Sequence, residues 1–358
     1  MGSNAPSSAA QLAARAELQG FVQVTDSRAP LYARLAVGLA DDTEAVSLLA
    51  AAPASARIPV TLFAAIHDLL LADPSEPLAA WYPNLVATPR TDDPVPAARE
   101  LCRRRRDDLL ALVTTRVPQT NELGRSAVLL LALAALGDEM GPLALLDAGA
   151  SAGINLIPDR LRVDYDGHQV GPGPLALTCG VRGKAKADRL PSAVPVVADR
   201  RGLDLRPVDL GDPEQVRWLE ACVWPDQTDR FDRLRLAVAE VRRTGVVVQR
   251  GDVITDLPAA LAQLRSGHPV VTTSWVLNYV GEDGQRAFSA VIDDLGRDRD
   301  LTVVNYEEPD LTPGLDWSAE LATESLSVLR VLRWRAGERS VEYLATGHPH
   351  GYWFSWLD

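Results

Sequence analysis

Up to about residue 140, apolar positions recur three and four apart, as in "AAQLAARAELQGFVQV", "LYARLAVGLADDTEAVSLLAAA", "PVTLFAAIHDLLLA" and "VPAARELCRRRRDDLLALVTTR". That period places them on one face of a helix, and alternation of the strand kind is hard to find. Pro53, Pro59, Pro74, Pro77, Pro83, Pro89, Pro94, Pro96 and Pro118 fall at the breaks, as helix punctuation does. The pattern predicts an all-helical N-terminal domain over residues 1–140.

From Leu143 the period changes. "LALLDAG" reads as a strand followed by a helix at "SAGINLIPDRL"; "VPVVADRRGLDL" precedes "DPEQVRWLEACVW" and "TDRFDRLRLAVAEVRR"; "GVVVQRGD" precedes "LPAALAQLRSG"; "PVVTTSWVLNY" precedes "DGQRAFSAVIDDLGR". With "LTVVNYEE" closing the series, these runs predict a Rossmann-like, doubly wound α/β sheet over residues 141–358. The tail, "SVLRVLRWRAGERSVEYLATGHPHGYWFSWL", predicts antiparallel strands about Gly337. Residues 163–193 interrupt the alternation and read as an inserted hairpin or lid, with "RGKAKADR" its most mobile part.

Composition narrows the class. A chain of 358 residues with 47% apolar side chains can bury a sizeable core. The net charge of -12 makes nucleic acid and anionic lipid improbable partners. Three dispersed cysteines fit neither a disulfide framework nor a zinc cluster, which points to a reducing cytoplasm. The opening "MGSNAP" lacks a basic and an apolar signal region, and the longest apolar stretch, Ala127 to Leu136, is about half a membrane span. Neither secretion nor membrane insertion is expected.

The run Gly149-Ala150-Ser151-Ala152-Gly153 has two readings. As G-x-S-x-G it is a nucleophile elbow, with His348 or His350 and Asp310 or Asp316 completing a triad. Against this, it follows the first strand, and an upstream HGGG-type segment is missing. As the first strand-to-helix turn of a Rossmann-like sheet, it would let a cofactor approach the backbone. Downstream strands favour the second reading. Asp204 follows a strand where a carboxylate can accept both ribose hydroxyls of a nucleoside; Asp252 ends the next, placed for an adenine amine; Thr273, Ser274 and Asn278 end the fourth beside Trp275 and Tyr279.

With these residues in place, the chain from Leu143 onward resembles class I S-adenosylmethionine-dependent methyltransferases. Asp147 through Gly153 stands at the family's acidic, glycine-rich first motif, and Asp204 and Asp252 stand at its second- and third-strand acids. The resemblance implies S-adenosylmethionine as cofactor, held by Asp147, Gly149, Ser151, Gly153, Asp204, Asp252, Ser274 and Trp275. The motif has fewer glycines than usual, and no "DPPY"-like run supports a DNA base as substrate. More closely, "GASAGINLIPDR", "GLDLRPVD", "WPDQTDR" and "SWVLNYV" resemble an uncharacterised bacterial family, common in actinobacteria, with a helical region before a methyltransferase-like domain.

Methyl transfer needs in-line approach and a base for the departing proton. Glu307, Glu308, Tyr279 and Asn278 are the catalytic candidates, and of the consecutive Glu307 and Glu308 only one can point inward. The expected activity is methylation of a small metabolite or natural-product intermediate, with the helical domain as a cap over the carboxyl edge of the sheet. One alternative is an intramolecular displacement in which a substrate amine closes a ring and expels a sulfate-type anion, held by Arg160, Arg162, Arg200, Arg201 or Arg250. Another is a degenerate methyltransferase that binds a protein partner or carrier protein. No metal site is expected. Arg103 to Arg106 read as an ion-paired helix face rather than an anion patch.

Overall fold

The computed structural model describes residues 6–25, 28–183 and 187–357. The helical periodicity of the first third gives α1 (Ser8–Thr25), α2 (Pro30–Leu39), α3 (Thr43–Ala50), α4 (Pro59–Ala72), α5 (Val95–Arg104), α6 (Arg106–Thr115) and α7 (Arg125–Met140). Prolines open α2, α4 and α5, where a missing N–H has no partner to lose. Asp42 caps α3 by accepting the Ala45 N–H at 2.9 Å.

The chain forms two compact units, Met1–Thr120 with Leu210–Arg235, and Asn121–Asp209 with Leu236–Asp358. This differs from a division at 140/141 in two respects. Helix α7 belongs to the second unit: it is buried from Arg125 through Ala134, and Tyr165 of that unit donates to its Ala127 carbonyl. In return α8 (Pro213–Ala221) and the start of α9 (Thr228–Thr244) belong to the helical unit. Trp218 donates to the Val117 carbonyl at 3.1 Å, Arg217 pairs with the buried Asp68, and Trp224 packs on Phe21 and Tyr32.

Within the helical unit, His67 is fully buried. Its Nδ1 lies 3.1 Å from the Ala221 carbonyl and its Nε2 lies 2.9 Å from Asn84 Nδ2. A carbonyl only accepts, so the proton sits on Nδ1 and Nε2 accepts from the amide. Burial lowers the ring to about 4 and keeps it neutral. The Arg103 to Arg106 run is ion-paired throughout: Arg103 to Glu100, Arg104 and Arg105 to Glu76, and Arg106 to Glu44.

The second unit is a mixed α/β structure around a large, mostly parallel sheet. Its strands are β1 (Leu143–Ala148), β2 (Leu161–Tyr165), β3 (His168–Val170), β4 (Leu175–Thr178), β5 (Gly180–Arg182), β6 (Val197–Asp204), β7 (Val247–Arg250), β8 (His268–Ser274), β9 (Leu301–Glu307), β10 (Ser327–Arg335), β11 (Glu338–Gly347) and β12 (Trp353–Trp356). Nine of them pair in the order β5-β12-β11-β10-β9-β8-β1-β6-β7. From β7 to β9 all neighbours are parallel; β10, β11 and β12 follow antiparallel. Leu146, Val271 and Val303 share a core with α10 (Leu257–Leu261) and α11 (Gly281–Asp298). The β10–β11 hairpin turns at Ala336 and Gly337, both at positive φ, which matches the twist of the strands it joins.

Two expectations are corrected. "SAGINLIPDRL" is not an α-helix: it makes the short 3-10 turns Ile154–Leu156 and Pro158–Arg160, then enters β2. Pro158 and the crowded β-branched Ile154 and Ile157 oppose a continuous helix there. Residues 163–193 are not a single hairpin: β3-β2-β4 form a small sheet of their own, and β5 extends the main sheet beside β12. Of "RGKAKADR", read there as the most mobile part, Arg182 ends β5 and Ala187–Arg189 form a 3-10 turn, while residues 184–186 lie outside the described residues. Among the described residues no helix is long and apolar enough to cross a membrane.

Candidate functional site

Strand β1 is the point where the order of the sheet reverses. The chain leaves it outward to β6 and later returns to its other side as β8, which puts the switch point of the sheet at the carboxyl ends of these strands, where open α/β sheets bind ligands. The turn after β1 carries φ of +85° at Gly149, +49° at Ser151 and +74° at Gly153. A Cβ on Gly149 would overlap the Val276 side chain, and one on Gly153 would crowd Val246 and Val248. Both glycines therefore admit the close approach of these valine side chains.

Asp204, at the end of β6, ties this turn down. Its Oδ2 accepts the Ser151 N–H at 2.8 Å and its Oδ1 accepts the Arg206 N–H at 2.7 Å. The Ser151 hydroxyl accepts from Asn121 Nδ2 at 2.9 Å, and with no α-helix following, it caps none. Of the residues named for the alternative triad, His350 lies 3.3 Å from Glu122 and Asp316 pairs with Arg339 at 3.3 Å. Asp252 closes its own turn, accepting from the Ile254 and Thr255 N–H groups at 2.8 and 3.1 Å.

Beneath the turn, Asp147 is 3% exposed and accepts from the Thr272 hydroxyl at 2.8 Å. Burial pushes its carboxyl up to about 7; the Thr272 bond and Arg125 oppose this, while Asp204 and Glu307 reinforce it. Glu307 is 1% exposed and also lies at about 7, raised by burial against donors from Val276, Thr273 and Leu277 and against Arg125. Of the consecutive pair, Glu307 points in and Glu308 stays at the rim, half-buried, its carboxyl raised by burial and by Asp310 and Glu324.

The end of β8 joins these groups. Trp275 has φ +58°, and its Nε1 donates to Ser327 Oγ at 2.8 Å. Ser274 Oγ and Asn278 Oδ1 are buried without a hydrogen-bond partner among the described residues. Tyr279 is 75% exposed and is not brought into the cluster.

Sequence reading missed Arg125. It is 5% exposed, donates to the Ser274 carbonyl at 3.1 Å and to the Pro349 carbonyl at 2.9 Å, and its charge favours the ionised form of both buried acids. It opens α7, two residues ahead of the apolar stretch that begins at Ala127, and nothing in the local pattern marks it as buried. The arginines nominated as anion holders are elsewhere engaged: Arg160 with Glu240, Arg200 with Asp159 and Arg201 with Gln263. Arg162 and Arg250 are exposed on their strands. Among the described residues, no group of three or more His, Cys, Asp or Glu could hold a metal ion.

No curated protein and no solved structure matches the chain. A family described as an uncharacterized protein conserved in bacteria, DUF2332, matches residues 15–356, and the chain belongs to that family.

Proposed function

We propose that the sheet unit is a Rossmann-like, methyltransferase-type domain that binds S-adenosylmethionine at the β1/β8 crevice and methylates a small molecule. The observation that carries this reading is the parallel order β7-β6-β1-β8-β9, third, second, first, fourth, fifth, with acids at the ends of β1 and β6 beside the reversal point. The residues present fit the nucleoside part. Each Asp204 oxygen accepts one N–H and keeps a further acceptor position for a ribose hydroxyl. Ser274 Oγ and Asn278 Oδ1 are buried polar atoms that a ligand would satisfy.

When bound, that cofactor supplies an electrophilic methyl group on a sulfonium. The chain's own contribution is orientation and proton transfer. Asp204 fixes the β1 turn, Glu307 holds the Val276 and Leu277 N–H groups and so places the loop bearing Ser274 and Asn278, and Asp147 at about 7 is poised to take a proton near neutral pH. Titration calorimetry of the full chain with S-adenosylmethionine and S-adenosylhomocysteine tests the reading. Micromolar binding that Asp204→Ala abolishes is expected; no binding of either compound overturns it.

Two carboxyls, Asp147 and Glu307, are buried at the ends of β1 and β9, and a pair of buried acids favours a second reading. A substrate amine would form a carbon–nitrogen bond as its carbon–oxygen bond to a sulfate-type group breaks, with the amine proton passing to a carboxylate. Ring closure without any added cofactor would distinguish this reaction from methylation.

A further inference from the structure

Across the middle of the sheet, three polar side chains stand where apolar ones would be expected. Thr273 of β8 is directly opposite Asn305 of β9, and Asn305 is directly opposite Arg330 of β10. All three are within 2% of complete burial. Glu307 follows Asn305 by two positions and so shares its face.

The hydrogen bonds among them have one direction. Arg330 Nε and Nη2 both donate to Asn305 Oδ1, at 3.2 and 2.9 Å. A guanidinium only donates, so the amide must turn its oxygen towards Arg330 and its Nδ2 away. That Nδ2 donates to Thr273 Oγ1 at 2.9 Å. With its oxygen accepting there, the Thr273 hydroxyl proton is left for another acceptor, and Thr273 is among the groups that favour the charged form of Glu307, two positions along the same face of β9 from Asn305. We propose that Arg330 is a positioning residue for the candidate site, fixing the Asn305 amide so that a one-way chain of donors runs through Thr273 to Glu307. The proposal rests on the reading of the site only in that Glu307 belongs to it.

Among the described residues no carboxylate is bonded to the fork of Arg330, an unusual state for a buried cation. Its Nη1 donates to the Asp316 carbonyl at 3.1 Å, and the Trp317 ring lies 4.4 Å from the guanidinium carbon. Around it, Tyr343 and Asp316 favour the charge and Arg339 opposes it; burial brings it down to about 10, so it stays a cation at neutral pH. Around Glu307 stand Arg125 of α7, the Val276 and Leu277 N–H groups, and Asp147 of β1. Removing the cation frees Asn305 to present its oxygen to Thr273, whose proton then turns away from Glu307.

Carboxyl-carbon NMR of glutamate-labelled full chain, with no ligand present, reads the Glu307 titration, assigned by its loss in Glu307→Gln. Thr273→Val should move the midpoint up by about one pH unit, since a hydrogen bond to a charged acceptor is lost, and Thr273→Ser should restore it. Arg330→Met should move it up in the wild-type background and leave it unmoved in Thr273→Val. Arg330→Lys, which keeps a donor to Asn305, should lie near wild type. An Arg330→Met effect that persists undiminished in Thr273→Val would overturn the relay in favour of direct charge interaction. Equal midpoints for Thr273→Val and Thr273→Ser would overturn it without any Arg330 variant needing to fold. Failure to bind S-adenosylmethionine leaves these outcomes unchanged, so the two ideas fail separately.

Discussion

Replacing Asp147 by asparagine separates a carboxyl kept for chemistry from one kept for packing. In the folded chain burial raises Asp147 from 3.8 to about 7. An acid so raised binds its proton more tightly folded than unfolded. Its contribution favours folding fully below about pH 4 and is lost as pH rises through about 7. The displacement is about three pH units, and at about 1.4 kcal/mol each the ionised side chain costs about 4 kcal/mol at pH 8. Asparagine keeps an oxygen for the Thr272 hydroxyl but brings two N–H donors into the same space, a penalty of about 1–2 kcal/mol. Asp147→Asn should therefore be about 2–3 kcal/mol more stable than wild type at pH 8 and slightly less stable at pH 4. Urea unfolding followed by amide exchange of peptides from β1 and β8 reads the unit that contains it. A difference between variant and wild type that stays constant from pH 4 to 8 would refute the raised carboxyl. Because the Glu307 charge adds to the rise of Asp147, the gain from Asp147→Asn with Glu307→Gln should fall short of the sum.

Other perturbations have equally definite outcomes. Ser274→Ala removes a buried hydroxyl that lacks a partner, so it should stabilise the ligand-free protein by about 1 kcal/mol in thermal unfolding while weakening S-adenosylhomocysteine binding in calorimetry. Gly149→Ala combines a φ of +85° with overlap on Val276 and should cost more than about 2 kcal/mol; adding Val276→Ala should recover part of the loss, and full tolerance of the single change would contradict the packing described. His67, lowered to about 4 by burial, contributes stability that is present above about 6.5 and lost as pH falls through 4, about 3 kcal/mol in all. His67→Gln should flatten that loss, measured by amide exchange of peptides from α4 and α8.

What could be read from the sequence followed the length of the periodic signal. Helices α1 to α7 and the strands from β6 to β11 each rest on several residues of one period, and a misplaced residue does not erase the pattern. The segment after Gly153 failed because its apolar residues satisfied a helical period while Pro158 and two isoleucines opposed a helix. Glycines gave the turn but not its cause: positive φ at Gly149 and Gly153 is legible, whereas Val276 and Val248 are distant in sequence. The exchange of Leu210–Arg235 to the helical unit rests on partners such as Val117 and Asp68, and local periodicity carries no record of partners. Of the site residues, Asp147, Asp204 and Glu307 were visible as acids ending strands. Asn305 was visible only as a polar interruption in an apolar strand, Arg330 as one of three arginines in β10, and Arg125 as a charge just ahead of an apolar run; such positions say that a partner exists without saying which.

The position of these interruptions bears on why they persist. A buried ion is costly unless it is paired, and a β-turn needs only neutral donors and acceptors to hold it. Serine, asparagine or threonine in place of Asp147 and Glu307 would anchor the turns after β1 and β8 with less desolvation. Yet the ionisable groups gather at the carboxyl end of the parallel strands: Asp147, Asp204 and Glu307 with Arg125 among them, while α10, α11 and the strands between contribute a shared core of apolar side chains. Packing alone gives no reason for that asymmetry, because both ends of β1 are buried. The proposed function would give one: carboxyls raised to about 7 are the groups that exchange a proton near neutrality. On this argument, variants that neutralise the acids should gain stability and lose activity together, whereas variants in the apolar core should lose both.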